Sequence, residues 1–252
     1  MFATSGQHIL GSAFKTDTGL KRTINQDAVL IDTDMGLFAI ADGMGGHNAG
    51  EIASEIAVTT LIKSLKVRNR KNMDLAELME HGFRDAHEAI LSASMGNPCY
   101  DNMGTTLVAA MRDGASSFTI GNVGDSRAYR ISSQGIELLT EDHTFMVEWI
   151  RQGLVSIHEA RHHPARHGLY MALGIDDEFE PRITRVELDK TDILLLCSDG
   201  LTDMVDENSI LNIVRNVPSL EAACNRLIAE ANANGGHDNC SAVLIHAGAS
   251  VI

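Results

Sequence analysis

The sequence predicts a layered α+β fold, with mainly antiparallel sheets at the centre and helices packed outside them. Short strand-like runs alternate with longer stretches whose apolar residues recur every three to four positions. Several of the strand-like runs are joined by only a few turn residues, as at 112–115 and 121–126. Connections of that length suit hairpins and are too short for the crossovers that parallel strands need. We therefore expect antiparallel pairing, with helices covering the sheets.

The predicted strands are apolar or alternating runs, which are typical of half-buried or buried strands. In chain order they lie at 28–32, 37–41, 105–111, 117–120, 128–131, 182–188, 193–197 and 242–246. Helical periodicity appears at 52–61 and at 75–90, where apolar residues form one face. A third helix is predicted over 220–231, with Ser219 as its N-cap.

The chain is expected to form a single domain, 1–252. No Pro-rich or Gly/Ser-rich linker divides it, no internal repeat recurs, and an apolar content of 44% can supply a substantial core. One segment, at about 145–172, is more polar than its surroundings and contains Trp149 and a string of His and Arg residues between 158 and 167. We interpret this segment as a surface insertion and call it the flap.

Composition and charge exclude several classes of protein. No apolar run approaches the roughly 20 residues of a membrane-spanning helix, and residues 1–19 lack the basic and apolar pattern of a secretory signal. We expect a cytoplasmic protein without a membrane partner. A net charge of −14 repels polyanions, which excludes nucleic acid. The four cysteines show no CxxC spacing and are expected to be reduced, and the lack of heptads predicts a monomer.

Aspartates recur beside glycine at the ends of the predicted strands. Asp42, Asp125 and Asp199 each follow an apolar run, and Asp238 directly precedes one. Each alone could be an ordinary turn residue. Neighbouring sheet ends would nevertheless bring these carboxylates together, and ligands that are all oxygen select hard cations such as Mg²⁺ or Mn²⁺. Arg22 has the planar fork that binds phosphate, although alone it could equally be an exposed surface residue.

The ordered set of these motifs resembles the metal-dependent protein phosphatase family, also called protein phosphatase 2C, in its compact bacterial serine/threonine phosphatase form. The matching stretches occur in family order across nearly the whole chain. They are RTINQD at 22–27, AIADGMGG at 39–46, MGTT at 103–106, NVGDSR at 122–127, LTEDH at 139–143, SDGL at 198–201 and GHDN at 236–239.

The resemblance implies a four-layer α-β-β-α sandwich of two mainly antiparallel sheets flanked by helices. It also implies hydrolysis of phosphoserine and phosphothreonine by a hydroxide that bridges two Mn²⁺ or Mg²⁺ ions, in an enzyme that opposes a bacterial Ser/Thr kinase. The implied metal ligands are Asp42 between the ions, Asp199 and Asp238 on one of them, the Gly43 carbonyl on the other, and Asp125 with Asp199 on a third ion. Asp27 is implied to hydrogen-bond the metal-bound water, and Arg22 to hold the substrate phosphate.

Two positions depart from the family's eukaryotic members, which have His in place of Met44 and Glu in place of Gln26. Methionine cannot donate a proton to the leaving alkoxide. Either a metal-bound water near Asp125 does so, or the enzyme is slow on substrates with poor leaving groups. Both substitutions are familiar in bacterial members of the family.

Other interpretations stay open at this point. One is a catalytically silent phosphoprotein-binding module of the same fold, although the carboxylates it would lose are present, and another is a phosphatase of small metabolites. HEARH at 158–162 matches the HExxH zinc-protease pattern, but Pro164 and the polar surroundings argue against that helix. His163 and His167 are interpreted as flap surface residues that attract phosphorylated substrate, and Asp142 as a helix N-cap.

Overall fold

Two antiparallel sheets stack face to face at the centre of the structure. The computed structural model describes residues 11–45, 49–68, 73–160, 163–175 and 179–248. The first sheet has the order β1-β11-β10-β7-β8 and the second has the order β2-β3-β5-β6-β9, with β4 paired to β3. Every strand pairing between these elements is antiparallel, as the short connections predict.

The first sheet consists of β1 (Ser12–Asp17), β7 (Arg127–Ile131), β8 (Ile136–Leu138), β10 (Ile193–Cys197) and β11 (Cys240–His246). The second consists of β2 (Asp27–Asp32), β3 (Leu37–Met44), β4 (Gly104–Thr105), β5 (Leu107–Arg112), β6 (Ser117–Val123) and β9 (Arg182–Glu187). The helices are α1 (Ala49–Val67), α2 (Leu75–Gly96), α3 (Phe145–Arg151), α4 (Ile157–Ala160), α5 (Asp199–Thr202), α6 (Glu207–Asn216) and α7 (Leu220–Ala233).

Alternation along the strands produces three apolar layers. On β3, Phe38 and Ile40 pack between the two sheets, whereas Leu37, Ala39 and Ala41 pack against α1 and α2. The first sheet behaves in the same way, because the faces of β10 and β11 that point away from the second sheet pack against α5, α6 and α7. Fully burying a large apolar side chain stabilises the fold by roughly 1.5–3 kcal/mol. The four-layer α-β-β-α sandwich is confirmed.

Some local predictions need correction. The run predicted at 105–111 is interrupted at Thr106, whose backbone N–H donates to Asp42 O instead of continuing a ladder. The turn at 121–126 is not a hairpin, since β6 and β7 belong to different sheets and the chain crosses between them at Gly124, where φ is +91°. Strands β1 and β8 and helix α6 were missed. Ser219 is confirmed as an N-cap, because its Oγ accepts a hydrogen bond from Ala222 N.

Between β8 and β9 the chain leaves both sheets and forms the short helices α3 and α4. The two ends of this excursion are joined by an antiparallel bridge between Thr144 and Leu169, and Leu173 forms a further bridge to Thr105. The flap boundaries at about 145–172 and the single-domain assignment stay predictions. Among the described helices, none combines the length and apolar character that crossing a bilayer demands.

The described cysteines are all free thiols. Cys197, Cys224 and Cys240 are buried, and Cys99 is exposed. Burial raises the pKa of the Cys197 and Cys224 thiols to about 12, so both stay protonated at neutral pH.

Candidate active site

Five aspartates converge at one end of the stacked sheets because they lie at strand ends. Asp27 opens β2 and pairs in register with Asp42 on β3. Asp125 follows β6, Asp199 follows β10, and Asp238 lies just before β11. A cavity of about 200 Å³, here called the catalytic cavity, opens among these strand ends. Its lining consists of Arg22, Gln26, Asp42, Gly43, Met44, Gly45, Thr106, Asp125, His167, Leu169, Asp199 and Asp238.

The carboxyl groups of this cluster are crowded and shielded from water. Burial raises the pKa of Asp27 to about 7, although hydrogen bonds from Ser241 and Ser198 oppose the shift. Burial also raises the pKa of Asp42 well above its usual value, and the neighbouring charges of Asp27 and Asp199 add to the effect. Asp27 and Asp42 therefore resist ionisation, since each charge would be buried and would lie beside the other.

Asp125 and Asp199 show the same effect on the other side of the cavity. Burial raises the pKa of Asp125 well above its usual value, and the Asp199 charge is the next largest cause. Burial raises the pKa of Asp199 to about 6, and the nearby charge of Asp203 contributes. Such a cluster stays ionised at neutral pH only if positive charge compensates it.

The donor atoms fit a divalent cation. Among the described residues, Asp27 Oδ1 and Asp199 Oδ1 are buried oxygens without a hydrogen-bond partner. Unpartnered buried carboxylate oxygens are costly, and a bound cation satisfies them. Oxygen atoms alone, from carboxylates and a backbone carbonyl, suit Mg²⁺ or Mn²⁺ and do not suit structural zinc, which prefers nitrogen and sulfur.

Gly43 is required where it stands by the close approach of another backbone. A Cβ atom at this position would lie 2.0 Å from Gly50 O at the start of α1 and 2.7 Å from Gln26 O. Gly43 N also donates to Gln26 O at 3.1 Å. Only glycine lets the chain carry Asp42 and the Gly43 carbonyl this near to the helix.

A buried hydroxyl network fixes Asp27. Its Oδ2 accepts hydrogen bonds from Ser241 Oγ at 2.6 Å and from Ser198 Oγ at 2.9 Å. Ser241 Oγ also lies 2.8 Å from Thr16 Oγ1, and because the single hydroxyl proton of Ser241 goes to Asp27, Thr16 is the donor in this pair. Because both bonds go to Oδ2, Oδ1 is the Asp27 oxygen that is buried without a hydrogen-bond partner among the described residues. These serines were not singled out from the sequence, although Ser198 directly precedes Asp199.

The backbone of Asp42 is held by two threonines. Asp42 N donates to Thr106 Oγ1 at 3.0 Å, and Asp42 O accepts from Thr106 N at 2.9 Å and from Thr105 Oγ1 at 2.8 Å. Thr106 Oγ1 also bonds Ser126 Oγ at 2.7 Å. The MGTT and NVGDSR motifs thus meet behind the cavity and connect the surroundings of Asp42 and Asp125.

Arg22 lies at the rim of the cavity. Its Nη2 donates to Asp238 Oδ2 at 2.8 Å, and the Arg22 side chain keeps about half of its surface exposed. Asn239 supports the same loop, since its Nδ2 donates to Thr18 O and Ile24 O, both at 2.9 Å, and its Oδ1 accepts from Gln26 N at 2.8 Å. A guanidinium at the rim of a cation-binding cavity is placed to meet an anion.

The flap contributes His167 to the cavity. Its Nδ1 lies 3.9 Å from Asp199 Oδ2 and its Nε2 lies 3.6 Å from Asp203 Oδ2. His167 therefore faces the aspartate cluster, a position that differs from the flap surface expected for it. His163 packs edge-on against the Trp149 ring, with centroids 5.5 Å apart. Asp203 was missed, although it follows Asp199 by four residues on a helical turn.

The other sequence motifs have structural roles. Glu159 Oε2 accepts from Ser156 N and Ser156 Oγ, and Ser156 Oγ accepts from Glu159 N, which is a capping box at α4. Arg161 and His162 of the HEARH pattern, and Gly46 of the AIADGMGG motif, lie outside the described residues. Asp142 is not an N-cap: Thr144 caps α3, and Asp142 instead accepts two hydrogen bonds from Arg127 Nε and one from Arg127 Nη2.

The fold and this carboxylate centre define a hydrolase that works with divalent cations. The model of the protein phosphatase 2C family matches residues 20–235. The chain is 38% identical to the serine/threonine phosphatase stp of Listeria welshimeri, over 92% of this chain and 94% of that protein.

Solved structures agree with this match. The crystal structure of the Mycobacterium tuberculosis serine/threonine phosphatase PstP/Ppp superposes with a TM-score of 0.85 at 35% identity, covering 93% of this chain and 97% of that one. The catalytic domain of PstP in complex with two manganese ions gives a TM-score of 0.82 at 34% identity, covering 93% and 96%. The chain belongs to the protein phosphatase 2C family. It is a metal-dependent serine/threonine phosphoprotein phosphatase.

Proposed function

We propose that Asp42 bridges two divalent ions, that Asp199 and Asp238 complete the coordination of one, and that the Gly43 carbonyl helps hold the other. The proposal is supported by the burial that raises the pKa of Asp42 and Asp199. It is also supported by the unpartnered Asp199 Oδ1. An anion between two cations is the arrangement that two-metal hydrolysis requires.

Two ions held by these residues would supply hydroxide at neutral pH and would stabilise charge on the phosphoryl oxygens. In our proposal Asp27 orients the attacking water through Oδ1, and the Ser198 and Ser241 hydroxyls hold that carboxyl in place. Arg22 grips the phosphate with its planar fork and aligns it for in-line attack. The exposed rim position of Arg22 suits a phosphate carried on a protein surface.

We further propose that Asp125 holds a third ion together with Asp199. Its support is that both line the catalytic cavity and that the Asp199 charge raises the pKa of Asp125. The ions are proposed to be Mn²⁺ or Mg²⁺, because both accept oxygen-only sites. A structure of the related PstP domain contains two manganese ions.

The substrates are proposed to be proteins phosphorylated on serine or threonine, in opposition to a cognate kinase, with the enzyme acting as a cytoplasmic monomer. Nucleic acid and membranes are not proposed as partners, because a net charge of −14 repels both polyanions and anionic lipid surfaces. The silent binding module has no specific support, since the carboxylates that it would lack are all in place around the cavity.

The convergence of Asp42, Asp125, Asp199 and Asp238 on one cavity is the observation that carries this function. The test is the initial rate of phosphate release from a phosphothreonine peptide with Mn²⁺, Mg²⁺, Zn²⁺ or EDTA, for the wild type and for Asp238→Ala. We expect turnover with Mn²⁺ that largely disappears in the variant. The exposed turn residue Asp34 supplies the matched control, Asp34→Ala. A folded wild type without turnover under any metal would favour the silent module.

A further inference from the structure

Asp125 sits on a sharp turn that is tightly packed from behind. Gly124, the residue before it, has φ of +91°, and a Cβ atom there would lie 2.6 Å from Thr106 Cγ2. The turn cannot move toward Thr106 without a clash. The position of the Asp125 carboxyl then depends on the other contacts that hold this turn.

His143 holds the Asp125 turn with two hydrogen bonds, one from its ring and one from its backbone. The backbone N–H of Gly124 donates to the ring Nδ1 of His143 at 3.2 Å, and the backbone N–H of His143 donates to Gly124 O at 3.0 Å. The His143 residue is only 5% exposed. Burial lowers the pKa of His143, which keeps the ring neutral and leaves the Nδ1 lone pair able to accept the bond.

His143 also lies at the neck of the flap, where the chain at 143–144 pairs with the returning chain at 169–170. His143 O accepts a hydrogen bond from Tyr170 N at 2.9 Å, and the next residue, Thr144, bridges to Leu169. The His143 ring also lies 5.6 Å from the Tyr170 ring. The side chain of His143 therefore bonds the Asp125 turn, while its backbone bonds the returning segment of the flap. That segment follows His167 and includes Leu169, both of which line the catalytic cavity.

The neighbouring residue strengthens this attachment. Asp142 accepts from Arg127 Nη2 at 2.6 Å and from Arg127 Nε at 2.9 Å, and Arg127 opens β7 two residues after Asp125. The chain on both sides of Asp125 is thus fastened to the segment that leads into the flap. A displacement of the flap neck would be transmitted to the Asp125 carboxyl.

We infer that His143 is a positioning residue, which through its Nδ1 holds Asp125 in the place required for the third ion and couples that place to the flap. This inference rests on the proposed role of Asp125. Residues that orient a metal ligand from behind typically change metal affinity or activity by roughly 10- to 100-fold when they are replaced.

Three substitutions test the inference. His143→Leu keeps the bulk and removes the acceptor, whereas His143→Asn places a carboxamide oxygen near the position of Nδ1 and keeps it. We expect His143→Leu to lower kcat for a phosphothreonine peptide by roughly 10-fold, with a smaller change in KM. His143→Asn is expected to restore most of that loss. In the Asp125→Ala background, His143→Leu is expected to change the rate of p-nitrophenyl phosphate hydrolysis by less than about 2-fold, since effects that share one cause do not add.

Calorimetric Mn²⁺ titration supplies a readout besides activity. His143→Leu should weaken or lose the same class of Mn²⁺ sites that Asp125→Ala loses, with the tighter sites retained. Circular dichroism and thermal unfolding in EDTA establish that each variant is folded. If His143→Leu does not fold, His143→Gln replaces it, because its amide lies near the Nε2 position and leaves Gly124 N without an acceptor.

The possible results separate this inference from the proposed function. An inactive wild type would refute the proposed function itself. With an active wild type, full activity of His143→Leu would refute the inference. The inference would also be refuted if His143→Asn were as impaired as His143→Leu. It would be refuted as well if His143→Leu lowered the rate in the Asp125→Ala background by the same factor as in the wild type. The inference would be supported if the loss of activity in His143→Leu were restored in His143→Asn and were absent in the Asp125→Ala background.

Discussion

Arg22 and Asp238 form an ion pair at the rim of the catalytic cavity, with Arg22 Nη2 2.8 Å from Asp238 Oδ2. The two residues are 216 positions apart in the sequence, and they are brought together because the loop before β2 packs against the loop before β11. The residue proposed to hold phosphate thus contacts a proposed metal ligand. This contact limits the rotamers of Arg22 before any substrate arrives, which lowers the entropy cost of binding.

Replacing Arg22 should therefore affect substrate binding more than the chemical step. A charge-assisted hydrogen bond contributes about 1.5–3 kcal/mol, so Arg22→Ala is expected to raise KM for a phosphothreonine peptide by roughly 10- to 100-fold. Arg22→Lys should recover only part of this, since an ammonium group cannot make the bidentate contact. Steady-state kinetics in Mn²⁺ measures both values. Lys21→Ala removes an exposed neighbouring charge and is the matched control. An unchanged KM in Arg22→Ala would exclude Arg22 from phosphate binding.

Ser241 is predicted to act through Asp27. Removal of the 2.6 Å hydrogen bond in Ser241→Ala leaves Ser198 as the remaining hydroxyl donor to Asp27 Oδ2. Since that bond lowers the pKa of Asp27, its loss should raise the pKa further and weaken the orientation of the carboxyl. We expect kcat to fall by roughly 5-fold, about the value of one neutral hydrogen bond, with KM little changed.

The pH profile of kcat distinguishes this effect from general destabilisation. In Ser241→Ala the acidic limb should move to higher pH, because Asp27 ionises later. Ser92→Ala removes an exposed hydroxyl that donates to the helix backbone at Glu88 O, and it should leave the pH profile of kcat unchanged. A Ser241→Ala profile that overlays that of the wild type would show that the network does not tune Asp27.

The local patterns in the sequence predicted much of the fold because alternation and helical spacing report directly on burial. The strands around Asp42 and Asp199 were placed correctly for that reason, and the Asp-Gly steps marked the ends that meet at the cavity. No comparable sequence pattern indicates where the chain passes from one sheet to the other. Nothing near Gly124 in the sequence distinguishes a turn within one sheet from a passage to the other, and the hairpin predicted there was wrong.

Contacts that depend on how distant loops pack could not be predicted from one sequence. The approach of His167 to Asp199 depends on the path of the flap, and the bond between His143 and Gly124 depends on where the flap begins. Asp142 illustrates the same limit. An Asp ahead of a helix is commonly an N-cap, but the nearby guanidinium of Arg127 competes for the carboxylate and Thr144 takes the cap.

Without metal, the buried aspartates of the cavity should contribute less to the stability of the protein as pH rises from about 4 to about 7. Burial raises the pKa of Asp27 to about 7 and that of Asp199 to about 6, above the ordinary value of 3.8. The folded state therefore binds more protons than the unfolded state in this range, and the stability present below pH 4 is lost as pH passes the folded-state pKa values. Mn²⁺ should reverse the loss, since it binds the ionised carboxylates.

Urea unfolding at several pH values, in EDTA and in Mn²⁺, measures this dependence. His143, whose pKa is lowered, contributes with the opposite sign near pH 6, so the informative quantity is the difference between the wild type and Asp27→Asn. That difference should grow with pH in EDTA, as only the wild type must ionise the buried group. A constant difference between pH 4.5 and 8 would contradict the prediction.

Gly43→Ala is predicted to damage the centre through the backbone. The added Cβ would lie 2.0 Å from Gly50 O, which is far inside van der Waals contact, so the start of α1 or the end of β3 must move. Either movement displaces the Gly43 carbonyl and the adjoining Asp42. We expect the variant to unfold at a lower temperature than the wild type in EDTA and to gain little stability from Mn²⁺.

The matched control is Gly96→Ala, at the end of α2, where a Cβ meets nothing within 4 Å. It should keep the full Mn²⁺ stabilisation and be more stable by about 0.5–1 kcal/mol. Thermal unfolding with increasing Mn²⁺ compares the two, and an equal Mn²⁺ effect in both variants would show that the Gly43 backbone is not part of the metal centre.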